Sequence, residues 1–524
     1  MSDLSRRDFL QNTALLTATS LAAPSGLLAQ GRTETASSIR VDPEPAFERS
    51  PRLYLQFMEP LGDTDGSVEA AWDYDIGDWR DDLISATKSL GPDVVRWGGN
   101  FIRYYRWREG VGPVQERPSM YNYLWGGKET NRVGTHEFVD FCRRVDAEPL
   151  MCVNFMSDGR RQYWDTIHGE NRRGDVQEAA DWVSYANDPD DRERQSHGVS
   201  DPYGIKLWQI GNETSYGDDG FDAEETAART IEFAEAMRER DPSIDLIGWG
   251  DKGVDGNYWA PTVLDRAGEH LDYIAMHMMG MGPREENTVL HGFEYQHHPE
   301  RAWEELIGLT DAVESRVQEM REAVEGRPSD TKLAITEGHV SFEPHNANPI
   351  LQEWLSAVYH ARTMNIYQRN GDVVKMCTGA DFCGTRWTVN AIRMPVPRWG
   401  DDSYLLPVAT IMRLFNKHNG EHGVSLHSMP SDLDIAASRT GDTVYLHVLN
   451  MNYNDAVEAD LSVEGHSVTG GTVYEIAPEH PREYVNRERP NIFEPEEKEL
   501  EPGRTPTWRF PKRSVSVVEL TLKA

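Results

Sequence analysis

The sequence predicts a (β/α)8 barrel followed by a C-terminal antiparallel β-sandwich, and three observations carry that prediction. Eight short apolar runs rich in β-branched and aromatic residues alternate with segments of helical period, the pattern of parallel βαβ units. From about Gly420 the helical periods give way to short alternating runs separated by turn residues, as in an antiparallel sandwich. The 524 residues hold a barrel, which takes about 250 residues in its typical form, and a second unit besides.

In chain order the eight runs are Leu53–Met58, Val94–Trp97, Leu150–Phe155, Ile205–Ile210, Ile244–Trp249, Tyr273–His277, Leu333–Thr336 and Val373–Cys377. Between the first two, Trp79, Leu83, Ala86 and Leu90 recur at helical spacing, and Gly91-Pro92 supplies a stop. Ala179, Trp182, Val183 and Ala186 mark another helix. Asp222 with Glu225 three residues later caps a third, which carries Ala227, Ile231 and Ala234. A doubly wound open sheet is disfavoured because no glycine-rich phosphate loop follows the first strand. The sandwich strands are read at Leu433–Ser438, Thr443–Asn450, Ala456–Val463, Thr472–Ile476 and Ser514–Leu522, and the acidic run Glu494 to Glu501 reads as a solvated loop. The expected organisation is a signal peptide over 1–30, a linker or N-terminal segment associated with the sandwich over 31–52, the barrel over 53–419 and the sandwich over 420–524.

Composition removes several function classes. The net charge of −34 has the wrong sign for phosphate backbones, so no nucleic-acid partner is expected. Four cysteines, Cys142, Cys152, Cys377 and Cys383, form no C-x-x-C pair and read as small buried hydrophobes. Ser5-Arg6-Arg7-Asp8-Phe9-Leu10 is a twin-arginine pattern, followed by a weakly apolar stretch too short to span a bilayer. The expectation from it is export, to the periplasm or beyond, with no membrane span.

Barrel chemistry sits where strands end at the C-terminal face. Those ends carry Glu59, Asn100, Asn154, Asn212-Glu213, His277, Glu337 and, past the eighth strand, Asp381. Glu213 and Glu337 leave the fourth and seventh strands, on opposite sides of the ring. Glycoside hydrolysis needs that arrangement: one protonated carboxyl for the leaving oxygen and one ionised carboxylate across the sugar. No H-E-x-x-H or comparable ligand spacing is present, and no metal or other cofactor is called for.

Several segments resemble the α-L-arabinofuranosidases of glycoside hydrolase family 51, one of the clan A barrel families. They are Ser50 to Glu59, Val95-Arg96-Trp97-Gly98-Gly99-Asn100-Phe101, Trp107 to Pro113, Trp125 with Glu129-Thr130-Asn131, and Leu207-Trp208-Gln209-Ile210-Gly211-Asn212-Glu213. The resemblance implies Glu213 as general acid/base and Glu337 as nucleophile of a retaining double displacement. It also implies Glu59, Asn100 and Asn212 as holders of sugar hydroxyls, Trp125 as an aromatic wall, and His277 as a histidine near the nucleophile. A raised pKa on Glu213 is expected, to keep it protonated at the start. Hexamers are common in the family and are the expected assembly. The chain departs from the family at Gly338, where a tryptophan is usual; at Met278-Met279-Gly280-Met281, where an aromatic hydroxyl is usual; and at Asp381, in place of a glutamine. The leading expectation is an exported α-L-arabinofuranosidase acting on arabinose-containing polysaccharides or oligosaccharides. The alternatives are the same machinery set for a galactofuranoside, a xyloside or another β-linked pyranoside, and a carbohydrate-binding barrel without turnover.

Overall fold

In the computed structural model, which describes residues 38–157, 174–216, 220–283, 286–327, 329–397 and 402–523, the chain begins with a strand, β1 (Ser38–Glu48), that joins the second sheet. The barrel ring then follows in sequence order: β2 (Leu55–Met58), β3 (Val94–Trp97), β4 (Glu148–Val153), β5 (Leu207–Ile210), β6 (Asp245–Trp249), β7 (Tyr273–Met278), β8 (Lys332–Gly338) and β9 (Val374–Met376). Neighbouring strands pair in parallel throughout. The ring closes where Leu55 N donates to Cys377 O at 2.9 Å and Cys377 N donates to Leu53 O at 2.7 Å.

A helix follows each strand: α1 (Asp81–Leu90), α2 (Thr135–Arg144), α3 (Val176–Asn187), α4 (Ala223–Arg240), α5 (Ala260–Ala267), α6 (Pro299–Val324), α7 (Ala357–Arg369) and α8 (Pro407–Lys417). Helices outside and packed side chains inside bury both faces of each strand, which is why the strands read as continuous apolar runs. In α1, Leu83, Ala86 and Leu90 form the buried stripe, and Gly91 ends the helix at φ +68° with its N–H on Thr87 O. The helix starts at Asp81; Trp79, expected to open it, lies in a two-residue strand and donates Nε1 to Glu137 O. Asp222 accepts from Glu225 N at 2.7 Å and caps α4.

Beyond β9 the chain lays β10 (Asp381–Gly384) and β11 (Asn390–Arg393) side by side. The second sheet has nine strands: β1 with β12 (His422–Ser428), β13 (Leu433–Thr440), β14 (Thr443–Asn450), β15 (Val457–Val463), β16 (Ser467–Ile476), β17 (Glu496–Leu500), β18 (Thr507–Phe510) and β19 (Val515–Lys523). All its pairings are antiparallel except that of β1 with β15. Val473 and Leu500 at one end of the strand order share a core with Leu461 and Phe510 at the other, so the sheet folds over on itself. The acidic run expected to be a loop is the edge strand β17. Its glutamates face outward along the edge, a use of charge that discourages pairing with other chains. The sheet docks on the barrel helices: Trp303 Nε1 donates to Met451 O at 2.7 Å, and Trp354 Nε1 donates to Arg513 O at 2.9 Å. All four cysteines are buried and unbridged. Among the described residues no helix is long and apolar enough to cross a membrane.

Candidate active site

The C-terminal ends of the barrel strands gather the site, and Arg96 is its anchor. The side chain projects from β3 and is wholly inaccessible, at 0% exposure. Nε donates to Gln209 Oε1 at 2.7 Å, Nη1 to Glu337 Oε1 at 2.7 Å and Nη2 to Asn212 Oδ1 at 2.6 Å. One planar fork thereby joins β5 to β8 through charge-assisted bonds.

Glu213 follows β5 on a tight turn in which Gly211 has φ +78° and Glu213 itself φ +51°, a conformation uncommon for a residue with a Cβ. A Cβ at Gly211 would sit 2.7 Å from the Phe155 side chain, so the turn requires glycine there. The Glu213 carboxylate accepts from Arg103 Nη2 at 3.2 Å and lies 3.0 Å from His277 Nδ1. His277 Nδ1 is also 3.6 Å from Glu337 Oε2, so the imidazole stands between the two carboxylates. Its Nε2 lies 3.1 Å from Thr336 Oγ1, and its ring meets the Trp249 ring edge-on at 4.6 Å. Behind it, buried Asp251 accepts from His277 N, Tyr216 Oη and Arg316 Nη2.

A carboxylate oxygen of Glu213, a ring nitrogen of His277 and a carboxylate oxygen of Glu337 all lie within 4.8 Å of one another. Among the described residues these three are the group close enough to share a metal ion; the counter-charges at the carboxylates come from Arg96 and Arg103. Burial alone would raise the Glu213 carboxyl, but the His277 hydrogen bond and charge, with the charges of Arg103 and Arg96, outweigh it and hold it below its ordinary value. Glu337 goes the other way. Burial raises it, His277 and Arg96 oppose, Glu213 adds repulsion, and the carboxyl ends above its ordinary value. The expectation of a raised Glu213 is therefore not met, because the histidine and one arginine lie against Glu213.

Glu59, after β2, accepts from Asn100 N at 2.7 Å and from Trp125 Nε1 at 2.9 Å. Burial and the charges of Glu337, Glu213 and Asp381 push Glu59 well above the carboxylate range, against the Trp125 hydrogen bond. Trp125 meets Trp387 edge-on at 5.5 Å, and the loop carrying Trp387 is held by buried Asp65, which accepts from Thr385 N, Arg386 N, Trp387 N and Asn390 Nδ2. Asp381 opens β10, 2.6 Å from His339 Nδ1. Asn100 Oδ1, Asn154 Nδ2 and Asn212 Nδ2 are buried and have no hydrogen-bond partner among the described residues.

The structure thus brings together Glu59, Asn100, Trp125, Asn212, Glu213, His277, Glu337 and Asp381. Sequence reasoning missed Arg96, Arg103, His339 and Trp387. An arginine in the apolar run Val94–Trp97 was the available signal for Arg96. At the opposite end of the barrel an open cavity is lined by Glu48, Asp245, Asp272, Lys332 and Lys375, with Asp245 paired to Arg52 and Asp272 to Arg238.

Fold and site together define a barrel of the glycoside hydrolase type, with two glutamates from different strands meeting at its C-terminal face. The comparisons are more particular. The profile described as Alpha-L-arabinofuranosidase 1 domain matches residues 86–327. An intracellular exo-α-(1→5)-L-arabinofuranosidase of Acetivibrio thermocellus is 34% identical over 253 residues, 45% of this chain and 46% of that one. Intracellular exo-α-(1→5)-L-arabinofuranosidase 1 of Bacillus subtilis is 29% identical over 329 residues, 58% of this chain and 59% of that one. The chain spans about half the length of the curated relatives it matches. Among solved structures, the α-L-arabinofuranosidase of Thermotoga maritima in complex with arabinose superposes with a TM-score of 0.70 at 25% identity, covering 92% of this chain and 99% of that one. The resemblance to the α-L-arabinofuranosidases of family 51 is borne out.

The same relatives correct the expected localisation. Those from Acetivibrio thermocellus and Bacillus subtilis are named intracellular, which conflicts with twin-arginine export, and residues 1–30, on which that expectation rested, lie outside the described residues.

Proposed function

We propose that the protein hydrolyses α-L-arabinofuranosides with retention of configuration, Glu337 serving as nucleophile and Glu213 first as acid, then as base. The observation that carries this reading is the meeting of the two carboxylates: their oxygens and the His277 nitrogen lie within 4.8 Å. That closeness is nearer the about 5–5.5 Å between carboxyls of retaining enzymes than the about 6.5–9.5 Å of inverting ones.

In the first step ionised Glu337 bonds to the anomeric carbon while the glycosidic oxygen departs with the Glu213 proton. In the second, Glu213 takes a proton from water, whose oxygen attacks the same carbon and frees Glu337. Arg96 opposes the upward push of burial on the nucleophile and, through Nη1 on Glu337 Oε1, holds its carboxylate in place. The unpartnered Asn100 Oδ1 and Asn212 Nδ2, with Glu59, suit sugar hydroxyls, and Trp125 with Trp387 suits the apolar face of the ring. Arabinose at non-reducing ends of oligosaccharides or polysaccharides is the substrate class; the relatives named exo-α-(1→5)-L-arabinofuranosidases support the sugar and the exo mode. A hexamer is the proposed assembly.

The second reading, another glycoside on the same machinery, is favoured by Met279, Gly338 and Asp381 around the subsite. A catalytically inert barrel is disfavoured by the presence of both glutamates. The test is hydrolysis of nitrophenyl furanosides and pyranosides by wild type and Glu337→Gln, with the first-formed anomer read by proton NMR. Wild-type release of arabinose with the anomeric configuration kept, and none from the variant, is expected. First-formed product of inverted configuration would refute the mechanism, and turnover confined to a pyranoside would refute the sugar.

A further inference from the structure

A second buried couple at the C-terminal face is not used by the chemistry above. His339 and Asp381 are 6% and 4% exposed, with His339 Nδ1 2.6 Å from Asp381 Oδ1. Their placement follows from the backbone. β8 ends at Gly338, yet the pairing with the end of β7 continues: His339 N donates to Met278 O at 3.2 Å, and Met281 N donates to His339 O at 3.4 Å. The chain therefore stays extended through residue 339, and alternation sends His339 to the same side as Glu337, two residues earlier.

Gly338 is what permits this. A Cβ there would sit 2.9 Å from Thr378 O and 3.3 Å from Met278 Cβ, so the strand passes between its neighbours only without a side chain. Asp381 meets His339 from β10, which packs against β2, the strand that Glu59 follows, so the couple stands beside the cleft that Glu59 lines. With Nδ1 donating to Asp381, the tautomer is fixed and Nε2 is left for another partner. Among the described residues it has none.

We propose that His339, oriented by Asp381, is a specificity-determining residue that hydrogen-bonds a hydroxyl of the glycone through Nε2. This rests on the glycosidase reading of the site. It locates the chain's departure in chemistry at residue 339, one position past the glycine that makes the departure possible. Asp381 is a positioning residue and acts through the imidazole.

The experiment compares wild type, His339→Ala, His339→Gln, Asp381→Asn and the double variant His339→Ala/Asp381→Asn on nitrophenyl α-L-arabinofuranoside, β-D-galactofuranoside and β-D-xylopyranoside. Loss of a hydrogen bond that a buried group makes to a sugar hydroxyl is expected to lower kcat/KM on the preferred glycoside about ten- to a hundred-fold. The loss should be smaller on the poorer glycosides, so discrimination narrows, and His339→Gln should recover part of it. The double variant should be no worse than His339→Ala, because Asp381 acts through the ring. A folded His339→Ala enzyme with unchanged ratios among the glycosides overturns the proposal. So do losses that multiply in the double variant, which would put Asp381 itself on the sugar. Should wild type cut a glycoside other than the arabinofuranoside, the proposed sugar fails, while the same ratios still decide the role of the pair. Calorimetric binding of L-arabinose, D-galactose and D-xylose reads the pair without turnover. Binding weakened by His339→Ala supports the proposal, and no binding with no turnover overturns it.

Discussion

Replacing Arg96 by methionine removes a buried charge and three hydrogen bonds while keeping an unbranched stem in place of the arginine's methylenes. The bonds run to Gln209 and Glu337, each at 2.7 Å, and to Asn212 at 2.6 Å. Stripping one partner from a buried ion pair costs about 3–5 kcal/mol when the remaining charge stays ionised. Glu337 has a way out. Its carboxyl is already raised by burial and by Glu213, and loss of the Arg96 charge raises it further, so it takes up a proton. The stability loss then settles near the lower figure, about 3 kcal/mol, and the larger effect falls on activity. A nucleophile held protonated cannot attack, so kcat/KM falls at neutral pH, about ten-fold for each 1.36 kcal/mol by which its ionisation is disfavoured. Because Glu337 is the higher of the two carboxyls, its further rise moves the alkaline limb of the kcat/KM profile upward and lowers the plateau. Arg103→Met is the control, since Arg103 contacts Glu213: its loss removes a charge that lowers Glu213, and the acid limb is the one that moves up. An Arg96→Met profile scaled down uniformly, with no shift of the alkaline limb, would refute the reasoning.

Three further outcomes are expected. Gly99 has φ +126°, and a Cβ there would lie 2.3 Å from Glu59 Cδ; Gly99→Ala should cost about 1–3 kcal/mol in thermal unfolding and raise KM through Glu59, and an unchanged KM would argue against Glu59 as a sugar ligand. Burial lifts Asp65 from 3.8 to about 6 despite the hydrogen bonds it accepts, so the folded state keeps a proton that the unfolded chain gives up. Its stabilisation is complete at low pH and is lost as pH rises through about 6; Asp65→Asn should flatten the fall of Tm over that range, and parallel curves would refute the assignment. Light scattering of the full chain at micromolar concentration should give the mass of six copies, and a monomer would end the hexamer proposal.

How much of this was legible in the sequence depended on burial. The eight barrel strands were legible because parallel strands covered on both faces are continuous apolar runs. Glu59, Asn212, Glu213 and Glu337 were legible because polar groups stand out where such runs end. Arg96 was hidden by the same property. In Val94–Trp97 both faces are buried, so pattern alone does not tell a side chain aimed along the barrel axis from one aimed at a helix. His339 was hidden by its neighbour: the reading stopped at Gly338 as a missing aromatic, whereas the glycine lets the strand run one residue further. The acidic run was misread because composition marks it as solvated, which an edge strand also is; only the pairing of β17 with β16 separates the two.

The proton shared by the two glutamates carries the remaining argument. Glu213 is held below its ordinary value and Glu337 above it, whereas double displacement must start with the proton on Glu213. Substrate is expected to supply the transfer: a glycosidic oxygen set against Glu213 is an acceptor and bonds only the protonated carboxyl, which raises its pKa, while hydroxyl donors of the sugar against Glu337 favour the ionised form. His277, 3.0 Å from one carboxylate and 3.6 Å from the other, spans the gap across which the proton moves. The profile of kcat/KM reports the free enzyme and that of kcat the complex. With Glu337 above Glu213 in the free enzyme, the acid limb of kcat/KM follows Glu213 and the alkaline limb follows Glu337. Binding that raises Glu213 and lowers Glu337 moves both, so the limbs of kcat lie at other pH values than those of kcat/KM. Measured on an arabinofuranoside with a poor leaving group, where the Glu213 proton matters most, coincident limbs would show that substrate does not redistribute the proton. Glu213 would then stay low in the complex and could not start as the acid.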